Sequence, residues 1–427
     1  MAWDFETDPE FQRELDWIAQ FVRERVEPLD AVLGSPWNIH DPRFEQHVRP
    51  LQAQVKARGL WACHLGPELG GAGYGQVKLA LMNEILGRSS FGPIVFGCQA
   101  PDSGNSEILA HYGTPQQKRR WLQPLLDNRI VSCFAMTEPQ GGADPAVFTT
   151  CAVREGNEWV ITGRKWFASN ARFAAFFLVV AVTDAQAPVT AGQSMFIVPA
   201  GTPGLSIVRD VGIGDEPEAT HGYLDFDHVR VPVDHILGQP GKAFEVAQVR
   251  LGGGRVHHAM RTIGLAQKAL DAMCERALSR RTQGSLLADK QMVQERIADS
   301  WIELEQFRLL VLRTAWRIDH YKDYRRVRQD IAAVKAAMPR VLHDIAARAL
   351  HLHGSIGVST EMPFAGMVLR AFQMGLADGP TEVHKITVAR QELRRHQASA
   401  ALFPAYHKPT AAAQARAVLG MDGDVPA

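Results

Sequence analysis

Apolar and polar positions change their spacing twice along this chain. From residue 5 to about 128, apolar residues recur at three- and four-residue steps, as in FQRELDWIAQFVRERV (11–26) and QVKLALMNEILGRS (76–89). That is the period of a helix with one buried face. Gly- and Pro-rich loops separate these runs, notably GPELGGAGYG (66–75). Thr114-Pro115-Gln116-Gln117 has the form of a capping box with proline at the first helical position, and predicts a helix start. From about 130 to 238 the runs shorten to VSCFAM, EWVITGRKWFA, FAAFFLVVAV, SMFIVPA, GLSIVRDV and GYLDFDHVRVP. Glycine or proline interrupts them so often that helices are disfavoured and a small β-sandwich or barrel is predicted. From about 241 the helical spacing returns, with candidates at 243–279, 285–320, 325–352, 360–375 and 380–398. Their length predicts a bundle.

The expected fold is therefore α+β in four regions: a helical domain over 1–129, a β domain over 130–240, a four-helix-type domain over 241–400, and an arm over 401–427. The arm is expected to lie on a neighbour or to be loosely ordered. A length of 427 residues suits two or three domains. With 46% hydrophobic and 22% charged residues the composition is globular, and Lys plus Arg equals Asp plus Glu at 46 each. That balance argues against a nucleic-acid-coating or polybasic membrane protein. The opening MAWDFETDPEFQREL is acidic and does not read as a secretory signal. The most apolar stretch, 173–182, is about half the length a bilayer requires. Cys63, Cys98, Cys133, Cys151 and Cys274 stand far apart, as expected of reduced thiols in a cytoplasm and not of a Cys-rich zinc site.

FAMTEPQGGAD (134–144) resembles the first signature of the acyl-CoA dehydrogenase family, and GRKWFASNA (163–171) resembles its second flavin-contacting strand. RTQG (281–284), HLHGSIGVS (351–359) and LADGPTEVH (376–384) fall in the family's order and spacing. CQAPDSGN (98–105), GRVHHAMRTIGLA (254–266) and LADGP are most similar to a branch that includes vertebrate proteins with a fused phosphotransferase-like domain. At 427 residues the chain is expected to lack that second domain. The resemblance implies FAD as cofactor, a fatty acyl-CoA as substrate, and loss of a proton from Cα and a hydride from Cβ. It also implies an electron-transfer flavoprotein as acceptor and a homodimer or homotetramer.

Such chemistry needs a base, a stabilised enolate oxygen and an oriented hydride acceptor. Asp378 stands where most of the family has Glu, which makes it the expected base, with its main-chain N–H as an oxyanion donor. Burial between the flavin and an acyl chain is expected to raise its pKa. The plainer alternative is that Asp-Gly-Pro merely ends one helix and caps the next, with Pro380 as the first helical residue. Glu382, four positions on, is a flavin-side candidate that could share a helix face with Asp378 and serve as the base instead. Some relatives place the base at the position of Gly254, where glycine has no carboxylate.

By the same resemblance Phe134, Met136 and Thr137 lie along the flavin edge, and Phe167 and Ser169 cover its opposite side. Taken alone, Phe134 and Met136 are ordinary strand residues. Gly141 and Gly142 would admit a phosphate close to the backbone. Ala143 replaces the usual Ser and contacts cofactor and substrate through its backbone. Arg255 is expected near the base and the pantetheine, with Gly379 also on the substrate side and Pro380 on the cofactor side. The run Gly252-Gly253-Gly254 implies that something comes very close to this segment. Arg280, Arg281, Thr282 and Gln291 match residues that reach the FAD of a neighbouring subunit. His351, Gly354 and Ser355 match the other cross-subunit loop, with His351 replacing Gln and Ser355 replacing Gly.

GGAGYG (70–75) opens no Rossmann unit, HGSIG (353–357) lacks the glycine and strand of a nucleophile elbow, and the paired histidines lack metal-ligand spacing. The competing functions are a nitroalkane-oxidase-like flavin oxidase or monooxygenase, and a catalytically silent flavoprotein.

Overall fold

The computed structural model describes residues 6–67, 71–214 and 219–421. The start of the chain, the 66–75 loop and the 401–427 arm therefore lie partly outside the described residues. Seven strands follow the first set of helices: β1 (Val131–Ala135), β2 (Cys151–Glu155), β3 (Glu158–Ser169), β4 (Ala174–Val182), β5 (Gln193–Pro199), β6 (Leu205–Val211) and β7 (His221–Pro232). They form a single sheet in the order β1-β4-β2-β3-β7-β6, with β5 also paired to β4. The β unit is thus one curled sheet.

The most apolar run of the chain becomes β4 because both of its faces are covered. Phe177, Val179 and Ala181 enter a cluster with Cys133, Ala135, Ile161 and Phe226. Phe176, Leu178 and Val180 enter another with Ile108, Leu109, Trp121 and Val246, which brings helices against the sheet. A strand buried on both sides reads as an unbroken hydrophobic run. Phe134 and Met136 of the first signature lie against this second, helix-covered side.

The two helical regions share one core. Phe11, Ile18, Leu60 and Phe96 belong to the same cluster as Met260, Ile263, Val334, Leu342 and Phe364. Its later part is built by helices Ala243–Ser279, Gln291–Tyr321, Arg328–His353, Phe364–Leu376 and Thr381–Leu393. The expected helix at 285–320 starts later, at Gln291, because Arg281–Thr282 and Ser285–Leu286 pair as a hairpin. Gln283 and Gly284 form its turn at φ 47° and 79°. Two positive-φ residues in a two-residue loop match the twist of the flanking strands. The capping box at Thr114 is present, but after Gln117 the helix widens into a π-turn over Lys118–Leu122. Part of the arm forms a helix, Lys408–Leu419, that buries none of its own residues. No helix of the described residues is long and apolar enough to cross a membrane.

A buried ion pair ties the FAMTEPQGGAD segment to β3. Lys165 Nζ donates to Glu138 Oε1 at 2.8 Å and to the Met136 carbonyl at 2.9 Å. Trp166 N–H donates to the Thr137 carbonyl at 2.8 Å. Glu138 also accepts the N–H groups of Thr149 and Thr150. Burial raises the Glu138 carboxyl, but the charge and hydrogen bond of Lys165 outweigh it and hold the group at about 2. Burial pushes Lys165 down to about 8, so both partners are charged at neutral pH. The Glu138 contribution to stability is present above its unfolded value and is lost as pH falls toward about 2. Lys165→Met should destabilise the fold by about 3–5 kcal/mol, because it leaves a buried carboxylate unpaired. In urea unfolding, the double variant Lys165→Met/Glu138→Leu should lose less than the sum of the two single changes.

Candidate functional site

Asp378 occupies the turn between helices Phe364–Leu376 and Thr381–Leu393 in the left-handed region, at φ 56°. Aspartate tolerates this conformation better than most residues. Gly379 follows at φ 103°, and a Cβ there would lie 3.0 Å from His384 Nε2. The turn is pinned through the Asp378 carbonyl, which accepts from Arg255 Nε at 2.9 Å and from His384 Nε2 at 3.3 Å. The Asp378 N–H meets no acceptor among the described residues.

Two expectations about this turn are corrected. Pro380 is the N-cap of the following helix, not its first residue, and no side chain caps that helix. Asp378 and Glu382 share no helix face, since Glu382 lies in the first turn beyond Pro380 and is exposed. The Asp378 carboxylate turns inward instead. Arg250 Nη1 lies 3.9 Å from Oδ1, and His258 Nε2 lies 3.7 Å from Oδ2. Two opposed effects set its ionisation. Burial raises it, but His258 and the charges of Arg250, Arg255 and Lys335 bring it below the ordinary carboxylate value. His258 is held down to about 3, chiefly by burial and by Arg261, so its imidazole is neutral at neutral pH, where the charges facing the carboxylate are those of Arg250, Arg255 and Lys335.

The triple glycine is explained by what fills each missing side chain. A Cβ on Gly252 would lie 3.3 Å from the Tyr324 ring, one on Gly253 3.0 Å from Glu107 Oε2, and one on Gly254 3.2 Å from Asp378 Oδ2. The close approach is made by this chain's own polar groups, inside the continuous helix Ala243–Ser279.

Arg250 was missed in the sequence. It is buried, its guanidinium lies 3.9 Å from the centre of the Phe134 ring, and its Nε donates to Asn105 Oδ1 at 2.8 Å. Asn105 donates to Ser132 Oγ at 2.8 Å, and Ser132 donates to Asp102 Oδ1 at 2.6 Å. Glu107 joins the same cluster through Tyr324 and Arg250. A signal was available, because Arg250, Gly253, Gly254, His257, His258 and Arg261 follow helical spacing. They make a polar stripe on a face that is buried, not solvated.

On the sheet side, Phe167 is a large apolar residue left 42% exposed, at φ 52°. Ser169 Oγ lies 2.9 Å from His221 Nδ1. A Cβ on Gly142 would lie 3.1 Å from Thr137 Cγ2, and one on Gly141 2.4 Å from Val147 Cγ2. At both glycines the chain itself makes the close approach. Ala143 is exposed. The structure thus brings Asp378, Gly379, Arg255 and Phe134 together through Arg250, with the Met136–Thr137 edge held beside β3.

It does not bring the remaining candidates to them. Arg280, Arg281, Thr282 and Gln291 are exposed at the far end of the long helix. Arg255 and Arg280 are about 37 Å apart along that helix at its usual rise. His351, Gly354 and Ser355 are exposed where helix Arg328–His353 ends. His351 Nδ1 lies 2.8 Å from Arg296 Nη1 in a cleft of about 310 Å³ that Arg348 and Asp344 also line.

Models of the acyl-CoA dehydrogenase N-terminal, middle and C-terminal domains match residues 8–129, 133–229 and 241–393. The chain is 38% identical over 388 residues to acyl-CoA dehydrogenase family member 11 of Gallus gallus, covering 88% of this chain and 49% of that one. It is 40% identical over 357 residues to FadE2 of Mycobacterium tuberculosis, covering 82% and 87%. A Mycobacterium abscessus structure described as an acyl-CoA dehydrogenase is 38% identical, with a TM-score of 0.84 over 92% of this chain and 100% of the other. The chain spans about half the length of the family member 11 relatives it matches.

Burial pushes the Glu107 carboxyl up to about 8, against the pull of Arg250 and the Tyr324 hydrogen bond. Below that value the native state keeps a proton that the unfolded chain releases above its ordinary carboxyl pKa. Stability therefore falls as pH rises between the two values. Urea unfolding of Glu107→Gln and wild type at pH 5, 6.5 and 8 should show the variant gaining relative stability at each step. A constant difference would show that Glu107 is ionised throughout.

Proposed function

The chain belongs to the acyl-CoA dehydrogenase family, whose members are FAD-dependent oxidoreductases, and from that premise we propose that it dehydrogenates a fatty acyl-CoA thioester to the trans-2-enoyl-CoA. The observation that carries the proposal is the Asp378 carboxylate. It is turned inward against Arg250 and His258 while its main-chain N–H meets no acceptor among the described residues. In this reading Asp378 takes the α-proton, and its N–H bonds the oxygen on which the enolate charge develops. Arg255 holds the turn through the Asp378 carbonyl, so carboxylate and N–H keep a fixed relation. A low-lying carboxyl is ionised and ready at neutral pH. An acyl chain that excludes water from the site raises its basicity when the α-proton must be taken.

The residues present suit a flavin. Phe167 offers an exposed apolar face, Phe134 and Met136 are half-buried, and Thr137 is fixed to β3 through the Trp166 N–H and the Lys165 bond to the Met136 carbonyl. Bound FAD would supply the hydride acceptor. We assign Phe134, Met136, Thr137, Gly142, Ala143, Phe167, Ser169, Pro380 and Glu382 to one flavin. Arg280, Thr282, Gln291, His351, Gly354 and Ser355 would hold the flavin of a second subunit. The separation of about 37 Å along one helix supports this division, and with it a homodimer or homotetramer. An electron-transfer flavoprotein is the proposed acceptor.

The purified protein should be yellow, and an anaerobic saturated acyl-CoA should bleach it. Asp378→Asn should retain the flavin and fail to bleach. Bleaching by a nitroalkane and not by acyl-CoA would replace this reading with an oxidase, and near-normal turnover by Asp378→Asn would move the base elsewhere.

Gly254→Ala separates stability from activity. Alanine favours a helix interior by about 1 kcal/mol over glycine, so the thermal midpoint should hold or rise. The added methyl crowds Asp378 Oδ2, and flavin reduction should slow about tenfold or more, as for a displaced base. An unchanged rate would show that the carboxylate has room to move.

A further inference from the structure

The cluster around Arg250 sits beside the proposed base and draws on Asp102 and Asn105, Phe134 and Asp378, while Arg250 itself lies outside every motif that carries the family resemblance. Its guanidinium is held on three sides. The Phe134 ring lies beneath it with its centre 3.9 Å from Cζ, Asn105 Oδ1 takes its Nε at 2.8 Å, and the Asp378 carboxylate faces Nη1 at 3.9 Å. Asn105 is itself fully buried and is fixed by Ser132, which Asp102 fixes in turn. Such a chain leaves the guanidinium little rotational freedom. A buried arginine is costly unless its position is needed, and nothing in the cluster uses it for packing alone.

We propose that Arg250 is the positioning residue for Asp378: braced by the Asp102–Ser132–Asn105 chain and by Phe134, it fixes the direction of the carboxylate and keeps it ionised before substrate arrives. This rests on Asp378 being the base of the proposed reaction. Arg250 has a specific place among the charges that face the carboxylate. Arg255 reaches the Asp378 carbonyl, not the carboxylate, and His258 is neutral at neutral pH. Arg261 also lies on the long helix and spends a nitrogen on the Cys98 carbonyl at 3.1 Å. Lys335, on helix Arg328–His353, is tied to the Met374 carbonyl, and His384, on helix Thr381–Leu393, is bonded to the Asp378 carbonyl. Arg250 alone among these pairs within 4 Å with a carboxylate oxygen as a permanent cation. Glu107 and Asp102 flank it from helix Asp102–Tyr112. Burial raises both carboxyls, to about 8 and about 6. At neutral pH the uncharged Glu107 does not compete with Asp378 for the guanidinium.

The test reads the carboxyl directly. Holoprotein labelled with [4-13C]aspartate is titrated by NMR, and the Asp378 resonance is identified by its loss in Asp378→Asn. In Arg250→Gln its midpoint should rise by about one pH unit or more, as expected on losing a nearby opposite charge, and Arg250→Lys should recover part of the shift. The acid limb of anaerobic flavin reduction should move with the resonance, with kcat falling more than KM rises. An Asp378 midpoint identical in wild type and Arg250→Gln would overturn the proposal. So would an Arg250→Lys midpoint no nearer wild type than that of Arg250→Gln. If Arg250→Gln does not fold, Asn105→Leu decides. It keeps the charge but unties it, and should slow flavin reduction about tenfold with a smaller rise in midpoint, whereas no change in either would overturn the proposal. Failure of acyl-CoA to bleach wild-type flavin would sink the dehydrogenase reading alone, because the resonance titration still decides what Arg250 does to Asp378.

Discussion

The arrangement depends on one short turn holding a carboxylate inside the protein at a left-handed backbone position. Three forces keep it there. Arg255 and His384 fix the Asp378 carbonyl, Gly379 supplies a φ that other residues resist, and cations from two helices compensate the carboxylate's lost hydration. Loss of any one would let the side chain relax toward the ordinary role of Asp-Gly-Pro, a solvated turn between helices. The strain at φ 56° is thus met by contacts that reach from elsewhere in the fold.

The second constraint is the junction between sheet and helices. Phe134 belongs to β1 and Arg250 to the long helix, and their contact joins that strand to the Asp378 turn. The segment after β1 is held from below by Lys165, which grips the Met136 carbonyl while pairing with Glu138. A charge buried in the sheet and another buried in the helical layer therefore flank the same strand. Both are expensive groups placed where side-chain direction matters more than net stability.

Much of this was legible in the sequence, and for identifiable reasons. The change of period near residues 130 and 240 follows from which faces are covered, and β4 could be read as a strand because its run is short and bounded by turns. The helix expected from 285 takes in Ser285–Leu286, the second arm of the hairpin, because Gln283 is not a usual positive-φ residue and the turn signal is half missing. The triple glycine correctly announced a close approach, but not that Tyr324, Glu107 and Asp378 make it, since these arrive from distant parts of the chain. The cations that face Asp378 are hidden from the sequence for the same reason. Burial is local and foreseeable, whereas Arg250 and Lys335 come near only through helix packing.

The aspartate at 378 and the missing Cβ at Gly254 form one adaptation. An aspartate reaches one methylene less far than a glutamate from the same backbone, so a turn that carries it lies close to whatever its oxygens meet. At 3.2 Å from the position a Cβ would take, Asp378 Oδ2 occupies space that any other residue at 254 would claim. Three consecutive glycines weaken a helix by about 1 kcal/mol each relative to alanine. Here the long helix spans them without a break because Tyr324 and the two carboxyls fill the groove they leave. The helix loses local propensity and gains tertiary contacts, and those contacts bring the acid chemistry of the site against its backbone.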